Sequence, residues 1–400
     1  MIRTLVVGLA IASMTSCATV QASGGSGYRK VNLAATEARF GAPIVDPALA
    51  NAWGIAIRPA GFGGHFWITG QGSGESVEYV GDVAQRPLSQ DDLKLVAIPG
   101  PGGTTGAPTG VVFNAGSSFV ITQAHPSGAI TAPAKFIFAT DSGTLSAWTE
   151  RKRADGVFDW PRRADLKLDL SAEGAQFFRL GIGASGRRLY VADFGAAPRL
   201  RVFDGTFREV ATDGAFANPF SQAVLRPGDY APFNVQQIGP GGRLFVTYAK
   251  TQAHPNDRTR FHAGEEVAGR GLGRLAEFDE DGRVATVWRD CGLLNAPWGL
   301  AWAPQSFGAY GGMLLVGNFG DGTVVAFDPA TRTAVDYLRD LRGKPVVIDG
   351  LWGLQFGNGA SLGASDALYF AAGPQEEKQG LFGKLVVEAG SARGGLESPR

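Results

Sequence analysis

Residue types that carry common chemistry are scarce in this chain of 400 residues. It contains 2 cysteines and 4 histidines. Two cysteines are too few for a zinc site built from thiolates, and four histidines leave little material for a serine–histidine–aspartate site. No P-loop, H-E-x-x-H or C-x-x-C motif is found. The sequence therefore offers little support for these hydrolase, nucleotide and thiol chemistries.

An excess of charge of either sign is also missing. Lys and Arg number 37 and Asp and Glu number 37, so the formal net charge is zero, and only 18% of residues are charged. No global field selects nucleic acid or an anionic membrane surface, and we expect no nucleic-acid partner. The 44% hydrophobic share can bury a large core, while 58 glycines indicate many tight turns between short strands.

Long hydrophobic runs are confined to the N-terminus. Residues 1–17 begin with a basic residue and an apolar stretch too short to span a bilayer, followed by small residues before Cys17. This pattern is typical of an export signal, and a cysteine in this place resembles the lipobox of bacterial lipoproteins. We expect Cys17 to carry the lipid that anchors the protein in the cell envelope, and 18–27 to be a flexible tether. The alternative is an ordinary cleaved signal with an incidental cysteine and a secreted protein.

A Trp-Gly pair followed by an apolar residue occurs three times. Aligning on it reveals further copies, at intervals of roughly 55 to 70 residues. The copies are ANAWGIAIRP (50–59), APTGVVF (107–113), FRLGIGA (178–184), APFNVQQI (231–238), LNAPWGLAWAP (294–304) and IDGLWGLQFGN (348–358). Apolar strands joined by Asp-Gly or Asp-Ser-Gly turns follow the copies, as in MLLVGNFGDGTVVAFD (313–328).

Six repeats of this kind predict an all-β, six-bladed β-propeller with four-stranded antiparallel blades. Each copy would be an innermost strand, where glycine fits because neighbouring backbones approach closely. We expect Trp53, Trp298 and Trp352 to pack in the wedges between adjacent blades rather than to stack on a ligand. The last unit has three strands, so the N-terminal strand YRKVNLAA (28–35) is expected to close the ring. Residues 28–390 form one domain in this scheme, and 391–400 a disordered tail.

The motifs APFNVQQIG, LNAPWGLAWAP, LLVGNFGDG, IDGLWGLQFGNG, GLFGKL and FIFATDSGTLSAW together resemble an uncharacterised family of exported bacterial six-bladed β-propellers. The resemblance covers about residues 29 to 388. The wider fold group includes NHL-type binding propellers and calcium-dependent lactonases of the gluconolactonase type. The resemblance implies fold and export, and it implies no activity.

Two other segments have features that are found at functional sites. GIGASG (181–186) formally fits the dinucleotide fingerprint, but it lies in an inner strand and precedes another strand, where the fingerprint needs a helix. The long charged segment 249–273 interrupts the fourth repeat and is predicted to be a loop between its second and third strands. It contains five residues that could contact a ligand or coordinate a metal ion, His254, Asp257, His262, Glu265 and Glu266. Its basic residues could equally pair with its acids. A shorter insertion, 373–380, stands at the same place in the sixth repeat.

Polar residues just ahead of the inner strands are expected to ring the mouth of the central channel. These residues are Asn51, Asn234, Asn295 and Asp349. A wider rim would consist of Asp141, Asp193, Asn318 and Asp321, with His254, His262 and Glu265 from the 249–273 segment. Oxygen ligands of this kind suit calcium. Asn and Asp before a strand also commonly bond their own backbone in turns.

Two classes of function remain open from the sequence. The first and favoured one is a non-catalytic, ligand- or protein-binding propeller, with no catalytic residues assigned and no cofactor required. We expect it to be a monomer that binds an unknown protein or a small polar ligand. The alternative is a calcium-dependent lactonase- or esterase-type hydrolase, with the metal at the channel mouth.

Overall fold

The protein is described by a computed structural model that covers residues 25–221 and 224–390. The predicted signal at 1–17 with Cys17, and the tail at 391–400, lie outside these residues. Strands dominate the described ranges, and the helical elements there are short 3-10 turns at Ala38–Phe40, Pro47–Leu49, Pro101–Gly103, Ser171–Glu173 and Gly308–Tyr310. None of these helices could cross a membrane. The predicted all-β class is confirmed.

The N-terminal strands belong to the last blade. β1 (Ser26–Ala35) pairs antiparallel with the C-terminal strand from Ser26 opposite Ala389 to Ala35 opposite Leu381, and β2 (Ile44–Val45) pairs parallel with β1. The predicted closure of the ring is therefore confirmed. Ser26 and Gly27, which were assigned to the flexible tether, are paired residues of β1. Closure in this way satisfies the backbone groups on edges that would otherwise be open.

Blades 1 and 2 follow the predicted four-stranded pattern. Blade 1 consists of β3 (Ala52–Ala56), β4 (Phe66–Gly70), β5 (Glu75–Tyr79) and β6 (Leu95–Ala97). The chain then forms β7 (Pro108–Phe113), β8 (Val120–Gln123), β9 (Ile130–Pro133), β10 (Phe136–Thr140), β11 (Thr144–Trp148), β12 (Arg151–Lys152), β13 (Phe158–Asp159) and β14 (Asp165–Asp169). Strands β7, β10, β11 and β14 form blade 2, while β8–β9 and β12–β13 are two small side hairpins.

Blades 3 and 4 depart from the expected pattern. Blade 3 has three strands, β15 (Phe177–Ile182), β16 (Arg188–Asp193) and β17 (Arg199–Asp204), where four were expected. Blade 4 consists of β18 (Tyr230–Gln237), β19 (Leu244–His254), β20 (Asp257–Val267), β21 (Gly273–Phe278) and β22 (Val284–Trp288). The predicted loop at 249–273 is largely a β-hairpin, because β19 continues past the blade and pairs with β20.

Blades 5 and 6 complete the ring. Blade 5 consists of β23 (Pro297–Trp302), β24 (Leu314–Asn318), β25 (Val324–Asp328) and β26 (Thr333–Tyr337), and blade 6 of β27 (Leu351–Phe356), β28 (Leu368–Ala372) and β29 (Leu381–Ala389) with β1 and β2. The described residues form six apolar clusters between neighbouring blades and a seventh on the central axis. The innermost strands β3, β7, β15, β18, β23 and β27 surround that axis.

Candidate functional site

The six innermost strands share a bulge that makes their positions comparable. Each innermost strand pairs with the second strand of its blade, and the pairing is interrupted at one place. In β3, β23 and β27 the unpaired residues are a Trp-Gly pair, and in β7, β15 and β18 the unpaired residue is the one that replaces tryptophan. The tryptophan position is therefore held by Trp53, Thr109, Phe178, Phe233, Trp298 and Trp352. The glycine position is held by Gly54, Gly110, Arg179, Asn234, Gly299 and Gly353. Two blades thus place a polar side chain where the others have glycine.

The aromatic residues of the first position close the central channel. The Trp53 and Trp352 rings stack with centroids 3.9 Å apart, and Trp298 meets Trp352 edge-on at 5.5 Å. Phe178 and Phe233 join from blades 3 and 4, with ring centroids 5.3 Å apart. All five are buried. We call this cluster the aromatic plug.

The prediction that these tryptophans fill wedges between adjacent blades was wrong. Trp53 of blade 1 contacts Trp298 of blade 5 at 6.3 Å, and Phe233 of blade 4 contacts Trp352 of blade 6 at 6.1 Å. Only side chains on the axis can contact each other across non-adjacent blades. Six inner strands converge there, and burying large rings against each other removes apolar surface from water. Their expected role as packing residues agrees with this burial.

The glycines of the pair fit the predicted reason for their presence. A Cβ added to Gly299 would lie 2.5 Å from the Trp352 carbonyl oxygen, and one added to Gly353 would lie 2.5 Å from that of Trp53. Real Cβ atoms do not approach a carbonyl oxygen this closely, so the blades could not pack as they do with a larger residue. The glycine position therefore sets the spacing between inner strands.

Carboxylates gather at the front face, which we define as the face where the inner strands begin. Glu377, from the 373–380 insertion of blade 6, accepts hydrogen bonds from Asn51 Nδ2 at 3.0 Å and from Trp352 Nε1 at 3.2 Å. Asn51 Nδ2 also donates to Gln71 Oε1 at 3.2 Å, and Gln71 Nε2 donates to Asp141 Oδ2 at 2.7 Å. This network connects blades 1, 2 and 6 directly above the aromatic plug.

The blade 4 hairpin contributes two further carboxylates, Glu265 and Glu266, which interact electrostatically with Glu377. Burial, with smaller contributions from the charges of Glu377 and Glu265, raises the pKa of Glu266 to about 7. Burial also raises the pKa of Glu377, and the charges of Glu265 and Asp141 contribute in the same direction. We call Asp141, Glu265, Glu266 and Glu377, together with Asn51 and Gln71, the acidic mouth.

The strongest charge effects in the acidic mouth are those of its own carboxylates. The pKa of Asp141 is raised by burial and lowered by its hydrogen bond with Gln71. Among the described residues, the leading charge effects on the pKa of Glu266 and of Glu377 come from neighbouring carboxylates. Carboxylates that share a site without a cation hold their protons more strongly than isolated ones. Carboxylates with perturbed pKa values are characteristic of functional positions.

The four residues predicted to ring the channel mouth do not form one cluster. Asn51 lies in the acidic mouth. Asn234 occupies the glycine position of blade 4, where its Nδ2 donates to the Trp298 carbonyl oxygen. Asn295 Nδ2 donates to Asp321 Oδ2 at 3.0 Å, and Asp349 Oδ2 accepts from the exposed Gln375 amide at 2.9 Å. Only Asn51 thus joins the carboxylates that converge above the plug.

The predicted rim residues are likewise divided between local structure and the acidic mouth. Asp193 is buried and accepts from Arg201 Nε at 2.8 Å, and from the amides of Gln176 and Gly195. Asn318 and Asp321 bond the backbone of the loop before β23 and of their own turn. Asp141 and Glu265 belong to the acidic mouth. The interpretation as turn-stabilising residues thus fits Asp193, Asn318 and Asp321.

The two histidines of the hairpin contact each other rather than the carboxylates of the acidic mouth. The His254 and His262 rings meet edge-on, with centroids 5.7 Å apart. His254 Nδ1 accepts from the Asn256 amide at 3.3 Å, and no partner of the buried His262 Nδ1 is found among the described residues.

A calcium site at the channel mouth would require several oxygen ligands close together. A calcium ion in a protein takes six to eight oxygen ligands within a single cavity. Among residues 25–221 and 224–390 no three His, Cys, Asp or Glu side chains are placed to hold one metal ion. The oxygen-bearing residues that were expected to share a metal fall into separate groups. Asn295 bonds Asp321, whereas Asn51 and Asp141 are linked through Gln71. Calcium at the channel mouth stays a prediction, and we derive no metal-dependent step from it.

Sequence reasoning missed Gln71, Glu377 and Arg179. Glu377 lies in the 373–380 insertion. The direction of its side chain depends on a backbone turn in which Gln375, Glu376 and Glu377 have left-handed φ angles of +59°, +55° and +62°. Arg179 could have been found, because an arginine replaces glycine in one of six aligned copies. Gln71 follows β4 in an ordinary turn sequence, and no signal distinguishes it.

Comparisons with known proteins give relatives but no assigned activity. No protein-family profile matches the chain. It is 28% identical over 370 residues to the uncharacterized protein R648 of Acanthamoeba polyphaga mimivirus, covering 90% of this chain and 80% of that protein. It is 29% identical over 359 residues to the uncharacterized protein L690 of the same virus, covering 90% of this chain and 86% of that protein.

Similar solved structures share little sequence with this chain. A streptogramin B lyase is 13% identical with a TM-score of 0.47, covering 91% of this chain and 98% of that one. A Bacteroides thetaiotaomicron protein of unknown function is 10% identical with a TM-score of 0.48, covering 91% of this chain and 76% of that one. The six-bladed propeller assignment rests on the strand pairing described above.

Proposed function

We propose that this protein is a non-catalytic binding propeller whose acidic mouth holds a cationic group of its ligand. The observation that carries the proposal is the convergence of Asp141, Glu265, Glu266 and Glu377 from blades 2, 4 and 6 above the plug. An ammonium or guanidinium group would supply the positive charge that these carboxylates lack. Such a group would lower the raised pKa values of Asp141, Glu266 and Glu377, so ligand binding should release the protons that these three retain.

The surroundings of the mouth favour binding over chemistry. The aromatic plug forms an apolar floor, and Trp352 Nε1 and Asn51 Nδ2 hold the Glu377 carboxylate in one orientation. The hairpin β19–β20 and the 373–380 insertion provide walls of different blades around it. A preorganised site of this kind loses little side-chain freedom when a ligand binds.

The test is calorimetric titration of the full chain with spermine, with calcium chloride as a second probe at matched ionic strength. Glu377→Gln removes one charge from the mouth, and Glu376→Gln is the matched control, because Glu376 is exposed and pairs with Lys378 at 2.8 Å. We expect spermine to bind the wild type and the control, and to bind Glu377→Gln roughly tenfold more weakly.

Other outcomes would redirect or end the proposal. Calcium binding that stabilises the wild type and is lost in Glu377→Gln would favour the calcium-dependent hydrolase instead. Binding of spermine that is equal in Glu377→Gln and Glu376→Gln would place it outside the acidic mouth. Absence of binding by either probe would overturn a cation-binding function at this face.

We also propose that the protein is exported and lipid-anchored in a cell envelope. The support is the sequence of residues 1–17, with its apolar stretch and small residues before Cys17. In a bacterial host, Cys17→Ala should abolish lipid labelling and move the chain from the membrane to the soluble fraction. Unchanged membrane retention of Cys17→Ala would contradict anchoring through this residue.

A further inference from the structure

A buried arginine lies on the opposite side of the aromatic plug from the acidic mouth. Arg179 occupies the glycine position of blade 3 and is only 5% exposed. Its guanidinium carbon lies 5.3 Å from the centroid of the Trp298 ring of blade 5. A Cβ added to Gly54 of blade 1 would lie 3.2 Å from Arg179 Nη1. The side chain therefore crosses the channel from blade 3 towards blades 1 and 5.

The guanidinium group has no anionic partner in the part of the chain that the structure describes. Nε and Nη1 are buried and find no acceptor there. Burial alone lowers the pKa of Arg179 to about 10, and no carboxylate contributes to the shift. An arginine side chain stays charged at neutral pH, and a buried charge without a partner costs several kcal/mol. A contact with the Trp298 ring offsets only part of such a cost.

Arg179 lines a cavity of about 510 Å³ that opens on the back face, where the inner strands end. Ile55, Ile57 and Val111 give the cavity apolar walls, while Gln236 and Gln355 contribute amide groups. The backbone of the GIGASG segment, 181–186, forms much of one side. The cavity is large enough for a small organic molecule.

We propose that this back cavity binds the carboxylate of a small organic acid, with the Arg179 guanidinium as its anchor. The planar fork of donors matches the two oxygens of a carboxylate, and the apolar walls suit a hydrocarbon body. Arg179 is the one charged side chain among the described residues that line the cavity. A single cation balances a monocarboxylate better than a doubly charged phosphate group. The site is separate from the acidic mouth and does not depend on the function proposed for it.

The experiment titrates the full chain with hexanoate, and with hexanamide and inorganic phosphate as comparison probes. Calorimetry gives the affinity, and intrinsic fluorescence reports on Trp298 beneath the guanidinium. Hexanamide has the same length without the charge, so it tests the carboxylate directly. We expect saturable binding of hexanoate at one site, and affinities for hexanamide and phosphate that are lower by roughly tenfold or more.

Variants then test the anchor. Arg179→Met keeps the length of the side chain without its charge, and Arg179→Lys keeps the charge without the fork. We expect Arg179→Met to lose hexanoate binding and Arg179→Lys to weaken it. Arg342→Met, at an exposed position, is the matched control and should bind as the wild type does. Without ligand, Arg179→Met should melt no lower than the wild type, because it removes an uncompensated buried charge.

Three results would overturn the proposal. The first is no hexanoate binding by the folded wild type at concentrations up to about 10 mM. The second is equal binding by the wild type and a folded Arg179→Met. The third is binding of phosphate in preference to hexanoate, which would contradict the carboxylate assignment. If Arg179→Met does not fold, Arg179→Lys decides alone, and wild-type affinity in that variant counts against a guanidinium fork as anchor.

Discussion

The two ends of the central channel carry charges of opposite sign. At the front face, neighbouring carboxylates raise the pKa values of Glu266 and Glu377, and at the back face Arg179 has no anionic partner among the described residues. The aromatic plug lies between them. Opposite charges in one channel would stabilise each other if they touched, and here an apolar layer keeps them apart. We therefore interpret the two ends as the two binding sites proposed above, rather than as an ion pair that holds the fold together.

Arg201 is a buried arginine with a structural role, and its partners can be compared with the surroundings of Arg179. It is 2% exposed and donates to Asp193, Glu173 and Glu209 at 2.7 to 2.9 Å. The hydrogen bonds and charges of these acids raise its pKa, although burial acts in the opposite direction. Arg179 is comparably buried and has none of these partners. The difference separates a paired residue in a blade from an unpaired residue in a cavity.

The largest expected effect on stability comes from a substitution in the aromatic plug, which separates the two ends of the channel. Trp352 is stacked between Trp53 and Phe319, with 3.9 Å between ring centroids on each side. Trp352→Ala should lower the free energy of unfolding by about 3–5 kcal/mol, because it leaves a cavity among rings from distant blades. Urea denaturation measures the change. Phe62→Ala, at a residue that is 60% exposed, is the control and should change it by less than about 0.5 kcal/mol. Equal effects in the two variants would show that the plug does not support the ring.

The next largest effect compares the two buried arginines directly. Arg201→Met leaves the buried Asp193 carboxylate without its partner and should cost about 3 kcal/mol of unfolding free energy. Arg179→Met should cost nothing or stabilise the fold, since no buried anion is left behind. Denaturation of both variants in the same buffer gives the comparison. Equal destabilisation would mean that Arg179 is as structural as Arg201.

A smaller effect should depend on pH at the acidic mouth. The pKa of Glu266 is raised from its usual value of 4.5 to about 7, so the folded state binds this proton more tightly than the unfolded state. The free energy of unfolding should therefore fall as pH rises from 4.5 to 7. Glu266→Gln removes this cost and should be more stable than the wild type by about 1 kcal/mol above pH 7, after allowance for solvent screening.

The pH series provides its own control. At pH 4 Glu266 is protonated in both states, and the stabilities of the wild type and Glu266→Gln should converge. Glu376→Gln, which is exposed, should not show the same gain above pH 7. A Glu266→Gln variant that is less stable than the wild type at pH 8 would show that the carboxylate makes a favourable contact.

The smallest effect is expected at Asp349, which was predicted to stand at the channel mouth. Its Oδ2 accepts from an exposed backbone amide, and its side chain belongs to neither end of the channel. Asp349→Ala should change the free energy of unfolding by less than about 1 kcal/mol. It should leave spermine and hexanoate binding unchanged in the calorimeter. If Asp349→Ala weakened spermine binding as much as Glu377→Gln does, Asp349 would have to be part of the binding site at the channel mouth.

The fold was predictable in detail because it depends on patterns that repeat along the chain. The Trp-Gly pairs, the hairpin turns and the unpaired strand at 28–35 are local signals, and together they indicated six blades and their closure. The prediction of a loop at 249–273 was wrong, because the extra length between the second and third strands of blade 4 forms a β-hairpin. Blade 3 was expected to have a fourth strand that the described residues do not form. Both differences lie at the edges of blades, where packing constrains the sequence least.

The candidate site was predictable only in part, because it is assembled from distant segments. Sequence alone placed Asn51, Asp141 and Glu265 at the front face. It could not bring Glu377 to Asn51, which is 326 residues away, because that contact requires the ring to close and the 375–377 turn to be left-handed.

The sequence by itself predicted the architecture, because its repeated aromatic and glycine positions mark six innermost strands. The tertiary structure alone decided which charges meet and which stay apart. Burial and the convergence of blades on one axis set the electrostatic environment of Glu377 and Arg179. Both effects arise from residues far away in the chain, so no local pattern of residues encodes them.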